Sequence, residues 1–173
     1  MLIIIGGLPS SGKTTMATIL SKKLNIDIIS PTSLYPENLH KNEELRQIFA
    51  VSAWEVCMDA VEQFTMDNDN DKKVIFDSIS LNANTIRPII LNAQNKGHKV
   101  LYVLCITTKE TAKKRGKRWV GDEIYAKYLD QLKKSIKSLN ATSDKLIVLK
   151  NEDDSFLNIK KCYKDILDFL NAN

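Results

Sequence analysis

No stretch of this 173-residue chain is apolar for long enough to cross a bilayer, and its apolar start, Leu2 to Ile5, is cut short by two glycines. A signal-peptide core is also missing, so a cytoplasmic protein without membrane partners is expected, in the host cytoplasm if the source is a phage. Cysteine is scarce. Cys57, Cys105 and Cys162 are odd in number, far apart and each set in an apolar pattern, which excludes a disulfide framework and fits reduced thiols. Histidine is scarcer still: His40 lies in a loop and His98 in a polar turn, and neither has the Cys or Ser company that nucleophilic catalysis would need. No repeat or linker-like composition divides the chain, and its length fits one α/β domain over residues 1–173.

The net charge of +4 permits nucleic-acid binding without requiring it, so the placement of charge matters more than its sum. Lys113, Lys114, Arg115, Lys117 and Arg118 form a dense basic cluster, while Asp67, Asp69 and Asp71 form an acidic one. The acidic trio has the spacing of a calcium loop, but Lys72 stands where such a loop needs glycine and Ser78 where it needs its closing Glu, so no ion site follows.

Regular structure is read from the apolar periods. Leu2 to Ile5 is an unbroken strand pattern of the kind buried on both faces of a parallel sheet, and Met16, Ile19, Leu20 and Leu24 mark a helix over Lys13 to Leu24. Further strands are expected at 26–29, 74–76, 100–106 and 146–149. Further helices are expected at 42–66, either continuous or broken once, and at 84–95, 112–118, 122–139 and 156–170, with Pro88 near a first turn. Trp54 and Phe64 belong to the core, and Trp119 either stacks on a base or packs beneath the basic segment. Strands alternating with helices predict an α/β fold with a doubly wound, parallel, five-stranded sheet.

Between the first strand and first helix, Gly7, Gly12, Lys13 and Thr14 satisfy the G-x-x-x-x-G-K-[ST] pattern of a P-loop NTPase, in the strand-turn-helix context the motif requires. Such a loop turns backbone N–H groups around phosphate and adds the positive end of a helix. ATP and Mg2+ are therefore the expected ligands, held by Gly7, Pro9, Ser10, Ser11, Gly12, Lys13, Thr14 and Thr15. Lys13 faces the β and γ phosphates, Thr14 offers its hydroxyl to magnesium, and Thr15 supports the α phosphate. Asp77 ends a buried strand at the edge where open α/β sheets bind ligands, so it is placed as a magnesium contact, an orienter of an acceptor hydroxyl, or a cap for the next element. The basic cluster follows the fourth strand closely enough to form a helical lid, with Arg118 the first choice to meet transition-state charge.

With those residues in place, the chain resembles the kinase domain of phage polynucleotide kinases and their small P-loop relatives. Three segments carry the likeness: IIIGGLPSSGKTT at 3–15, VIFDSISLNANTIR at 74–87 and ETAKKRGKRWVGDEIYAKYL at 110–129. The resemblance implies a role for Asp77, Asn82 and Arg87, and a lid pair at Lys114 and Arg118, with Arg115 as an alternative first member. It also implies a catalytic acid after the second strand. This chain instead reads IISPTSLYPEN there, with Thr32 or Ser33 at the acid's position on the substrate side, and with Asp27, Glu37 and Asp77 as substitutes. The expected function is transfer of the γ-phosphate of ATP to a hydroxyl of a nucleic acid, above all DNA, at a 5′ end or a hydroxymethylated base. A nucleoside or deoxynucleoside monophosphate kinase is the alternative, and a non-catalytic ATP-binding module a third possibility.

Overall fold

Every residue of β1 (Leu2–Gly7) is buried, as an apolar strand must be when helices cover both faces of its sheet. The computed structural model describes residues 1–34, 43–67, 71–78, 82–115, 119–152 and 156–172. These residues form α1 (Lys13–Leu24), β2 (Asp27–Ile29), a 3-10 turn (Pro31–Leu34), α2 (Glu43–Met66) and β3 (Val74–Asp77). After them come α3 (Ala83–Asn95), β4 (Val100–Ile106), α4 (Lys109–Arg115), α5 (Asp122–Thr142), β5 (Lys145–Lys150) and α6 (Phe156–Asn171). All neighbouring strands pair in parallel in the order β2-β3-β1-β4-β5.

Alternation along the strands divides the core into two layers. Leu2 and Ile4 join Phe76, Tyr102 and Leu104 under α2, α3 and α5. Ile3 and Ile5 join Leu101, Val103 and Cys105 under α1 and α6, through Met16, Leu20, Cys162 and Ile166. All three cysteines are buried free thiols, and burial pushes those of Cys105 and Cys162 up to about 12. Chain order reverses across β1, whose neighbours are β3 and β4. A crevice is therefore left at the carboxyl ends of these strands, where doubly wound sheets take their ligands.

Several elements depart from the sequence expectation for local reasons. Helix α2 is no departure: it runs unbroken for 24 residues, the continuous form of the expected helix. Helix α4 begins at Lys109 rather than Ala112, because the Thr108 hydroxyl accepts from the Thr111 N–H at 3.2 Å and caps it three residues earlier. Residues 116 to 118, expected to continue that helix, lie outside the described residues, as do Asp69, Glu37 and His40. Pro88 is the sixth residue of α3, just past the first turn, where its missing N–H removes one helical hydrogen bond. His98 is not a turn residue open to water. It is buried against Phe64 with ring centroids 4.8 Å apart, and its Nε2 lies 3.3 Å from the Thr65 carbonyl oxygen. Lys72 pairs with Asp67 at 2.6 Å. Among the described residues, no helix is long and apolar enough to cross a membrane.

Tyr102 is wholly buried in β4, and its hydroxyl occupies the place where a side chain on Gly6 would begin. That hydroxyl has no hydrogen-bond partner among the described residues, so the fold bears the desolvation of a polar group without return. Tyr102→Phe is therefore expected to leave chemical-denaturation stability unchanged or raise it by ~1 kcal/mol. A loss of similar size would show that the hydroxyl is bonded, as it would be to a trapped water.

Candidate active site

The chain leaves β1 through Gly7, whose φ of +148° disfavours any side chain and whose Cβ, if it had one, would overlap the Cys105 carbonyl of β4. The same carbonyl accepts the Leu8 N–H at 3.0 Å, tying the loop's first turn to the neighbouring strand. Gly12, at φ +93°, then occupies the N-cap of α1 without supplying a capping side chain. The first turn of α1 therefore presents uncapped N–H groups and no acidic residue, an arrangement suited to an anion. Lys13 reaches back across the loop, its Nζ donating to the Leu8 carbonyl at 2.8 Å. Burial lowers the pKa of its ammonium, and the Asp77 charge partly opposes that effect. Polyphosphate fits this cradle: the amides and Lys13 supply positive charge, and the bare glycines supply access.

Asp77 ends β3 opposite Ile5 of β1 and is 2% exposed. The Thr14 hydroxyl donates to its Oδ2 at 2.9 Å, and the Ser30 hydroxyl approaches the same oxygen at 3.4 Å. Ser30 Oγ in turn lies 3.0 Å from Thr32 Oγ1, so a short chain of hydroxyls joins the end of β2 to the carboxylate. The pairing of the Thr14 hydroxyl with the Asp77 carboxylate supplies hard oxygen donors that suit magnesium. Loss of hydration raises the pKa of the Asp77 carboxyl, opposed by the Thr14 hydrogen bond, by Lys13 and by Ser30.

Most of these groups line a cleft of about 610 Å³. The structure brings Gly7, Pro9, Ser10, Gly12, Lys13, Thr14 and Thr15 together there with Thr32, Asp77 and Arg115. Ser11 is instead buried behind the loop, its hydroxyl without a partner among the described residues. Three expected substrate contacts are not gathered at the cleft. The Ser33 hydroxyl turns back to the Ser30 carbonyl at 2.7 Å, and Arg87 on α3 and Lys114 on α4 are exposed and not part of the lining. Asn82 caps α3 by accepting the Asn84 N–H at 3.0 Å. Arg118 lies outside the described residues.

The cleft also contains residues that the sequence reading passed over: Val120 and Tyr128 beside the basic segment, Asn151 after β5 and Ile159 on α6. Asn151 was open to detection by a signal like that of Asp77, a polar residue at the carboxyl end of a strand of the parallel sheet. The basic helix is largely engaged with its surroundings. Lys113 and Lys109 approach Asp122 at 2.7 and 3.0 Å and hold its carboxyl below the usual range, and Lys113 also lies 5.4 Å from the ring centroid of Trp119. Trp119 itself packs against Tyr125, ring centroids 5.4 Å apart.

A testable consequence follows from the burial of Asp77. Its native carboxyl holds a proton more tightly than the unfolded one, so its contribution to stability is fully present below the unfolded pKa. That contribution is lost as pH rises through the native value. Asp77→Asn removes this cost, so the ligand-free variant should melt at or above the wild-type temperature near neutral pH. The advantage should shrink on acidification towards the ordinary carboxylate range, as followed by thermal melts over a pH series. A variant whose deficit is greatest at neutral pH would contradict it.

A Sulfurisphaera tokodaii protein assigned as an adenylate kinase is 32% identical over 104 residues, 59% of this chain and 52% of that protein. A cytidylate kinase from the same organism is 36% identical over 74 residues, 43% of this chain and 37% of its own length. The matches thus span about half or less of those relatives. In three dimensions, the deoxyadenosine kinase of M. mycoides, solved with dCMP and dCDP, superposes over 100% of both chains with a TM-score of 0.57 at 20% identity. At that identity the likeness establishes the fold, which is that of P-loop kinases. Residues 2–139, which carry the glycine loop, Thr32, Asp77 and helix α4, match the family model described as an AAA domain, and the chain belongs to that family of P-loop proteins.

Proposed function

We propose that this protein is an ATP-dependent kinase that transfers the γ-phosphate of ATP to a nucleotide, with a nucleoside monophosphate as the acceptor. The observation that carries this reading is the position of Asp77. It is the one carboxylate among the described residues lining the cleft, and it is held to the phosphate loop by Thr14. A hydroxyl acceptor must give up a proton during transfer and needs a base placed for it. A phosphate monoester, with a second pKa near ~6, is already largely dianionic at neutral pH and needs none. In the proposed reaction an acceptor phosphate oxygen forms a bond to the γ-phosphorus while the bond to the β-γ bridging oxygen breaks. ADP and a nucleoside diphosphate result. The names of the adenylate and cytidylate kinase relatives support the same acceptor class.

In this scheme the amides of residues 12 to 15 and Lys13 hold the triphosphate, because charge concentrated on the transferred group is met best by positioned donors. Magnesium, when bound, would sit with Thr14 and Asp77 and offset phosphate charge during transfer. Thr32 faces the acceptor side, and the basic segment that begins on α4 acts as the lid. The narrower likeness to polynucleotide kinases, and with it a DNA hydroxyl as acceptor, fits less well. Lys109 and Lys113 are engaged by Asp122, which takes up part of the positive charge of α4 that a nucleic-acid backbone would need. A non-catalytic module is disfavoured by the intact set of Lys13, Thr14 and Asp77. A cytoplasmic setting goes with this reading.

Incubation with MgATP and separate pools of nucleoside monophosphates, free nucleosides, and 5′-hydroxyl or hydroxymethylated oligonucleotides tests the proposal. ADP with a matching nucleoside diphosphate is expected from at least one monophosphate, and transfer confined to hydroxyl acceptors would overturn it. Lys13→Ala should lower turnover at least ~100-fold. Arg118→Ala should reduce kcat while leaving the KM for ATP nearly unchanged, the signature of an interaction made only in the transition state. Equal losses in kcat and ATP affinity would remove Arg118 from that role.

A further inference from the structure

Asn151 follows β5 and is only 7% exposed, yet all of its polar groups are engaged, and they join three separate parts of the chain. Its N–H donates to the Ile106 carbonyl at 2.8 Å, and its own carbonyl accepts the Thr107 hydroxyl at 2.7 Å, so the backbone here is bound to the end of β4. Arg115 of α4 donates twice to this residue, from Nη1 to the backbone carbonyl at 3.1 Å and from Nη2 to Oδ1 at 3.0 Å. The Asn151 side-chain amide then turns to the phosphate loop, where Nδ2 donates to the Ser11 carbonyl at 3.0 Å. Its Nδ2 would lie 2.6 Å from a Cβ on Gly12, so the amide lies directly over that glycine.

The Ser11 carbonyl and the Gly12 N–H belong to one planar trans peptide and point in opposite directions. A hydrogen bond that holds the carbonyl towards Asn151 therefore holds the N–H away from it. Arg115 strengthens the same restraint from beside the loop, with Nη1 3.4 Å from the Ser10 carbonyl. We propose that Asn151 is a positioning residue for nucleotide binding: its amide fixes the Ser11–Gly12 peptide in the orientation that offers its N–H to phosphate, and its Oδ1 couples that peptide to Arg115 on the basic helix. The proposal rests on the reading of the cleft as a nucleotide site. It assigns Arg115 to the loop rather than to transition-state charge.

Calorimetric titration with MgATP of the full-length wild type, Asn151→Ala, Asn151→Asp and Arg115→Ala tests it, with circular dichroism to establish the folded fraction. The Asp variant retains an oxygen for Arg115 but sets an acceptor against the Ser11 carbonyl. Both Asn151 variants should therefore bind ATP about tenfold more weakly, and in turnover assays the KM for ATP should rise with kcat changed less than about threefold. Arg115→Ala should weaken binding less, and its effect should not add fully to that of Asn151→Ala, because the two residues act on one peptide. Should Asn151→Ala fail to fold, the Asp and Arg115 variants carry the test. Variants with lower melting temperatures but ATP affinity per folded molecule within twofold of wild type would reduce Asn151 to a structural role and overturn the inference, as would an Asn151→Asp variant that binds normally. A wild-type protein that bound no ATP would overturn the kinase reading and this inference together.

Discussion

The close approach of Gly7 to the Cys105 carbonyl joins the two central strands at the point where the chain leaves the sheet, and the chemistry of the cleft depends on that junction. Because no side chain stands between β1 and β4 there, the Leu8 N–H can reach the same carbonyl and start the loop at a fixed angle. The loop returns to the sheet axis in time for Gly12 to open α1 with its amides uncovered. Lys13 and Thr14 are then carried on the first turn of a helix anchored by Met16, Ala17 and Leu20, and a rigid support of this kind can hold charge in place during transfer. The buried face of the sheet and the reactive edge are therefore parts of one construction.

At that edge, polar groups are supplied by strand ends. β3 delivers Asp77, β2 delivers Ser30 and, just beyond it, Thr32, and β5 delivers Asn151. Parallel strands place all their carboxyl ends on the same side, so residues up to 140 apart in sequence can touch, as Ser11 and Asn151 do. The electrostatics follow from this enclosure. Asp77 and Lys13 each lose hydration, and each partly restores the charged form of the other, so both are costly in the absence of ligand and suited to a site whose ligand carries magnesium and polyphosphate.

Much of this was legible in the sequence because it rests on local pattern. The run Leu2–Ile5, the glycine spacing and the helical period after Lys13 each specify their own geometry, and Asp77 stood out as an acid at a strand end. The side chains that failed to gather were those carried over by resemblance or by proximity in sequence. Arg87 and Lys114 belong to helices whose rotation about their own axes is set by tertiary packing, and a motif's spacing does not contain that information. Ser33 lost its expected place to a local turn, since its hydroxyl satisfies the Ser30 carbonyl first. Asn151 was passed over because its partners, Ser11 and Arg115, come from distant segments, and only the sheet order brings them within reach.

The two outer strands of the sheet carry a further consequence. β2 is only three residues long, and β5, although it runs for six, begins with Lys145 and ends with Lys150, both exposed, around an outward Val148 that is 40% exposed. An unpaired strand edge is a template for another chain, and brevity on one side with lysines on the other are the usual means of blunting it. A second molecule that tried to extend the sheet beyond β5 would meet an exposed lysine at each end of the strand. The parallel core can thus stay continuous and strongly apolar without seeding a fibril.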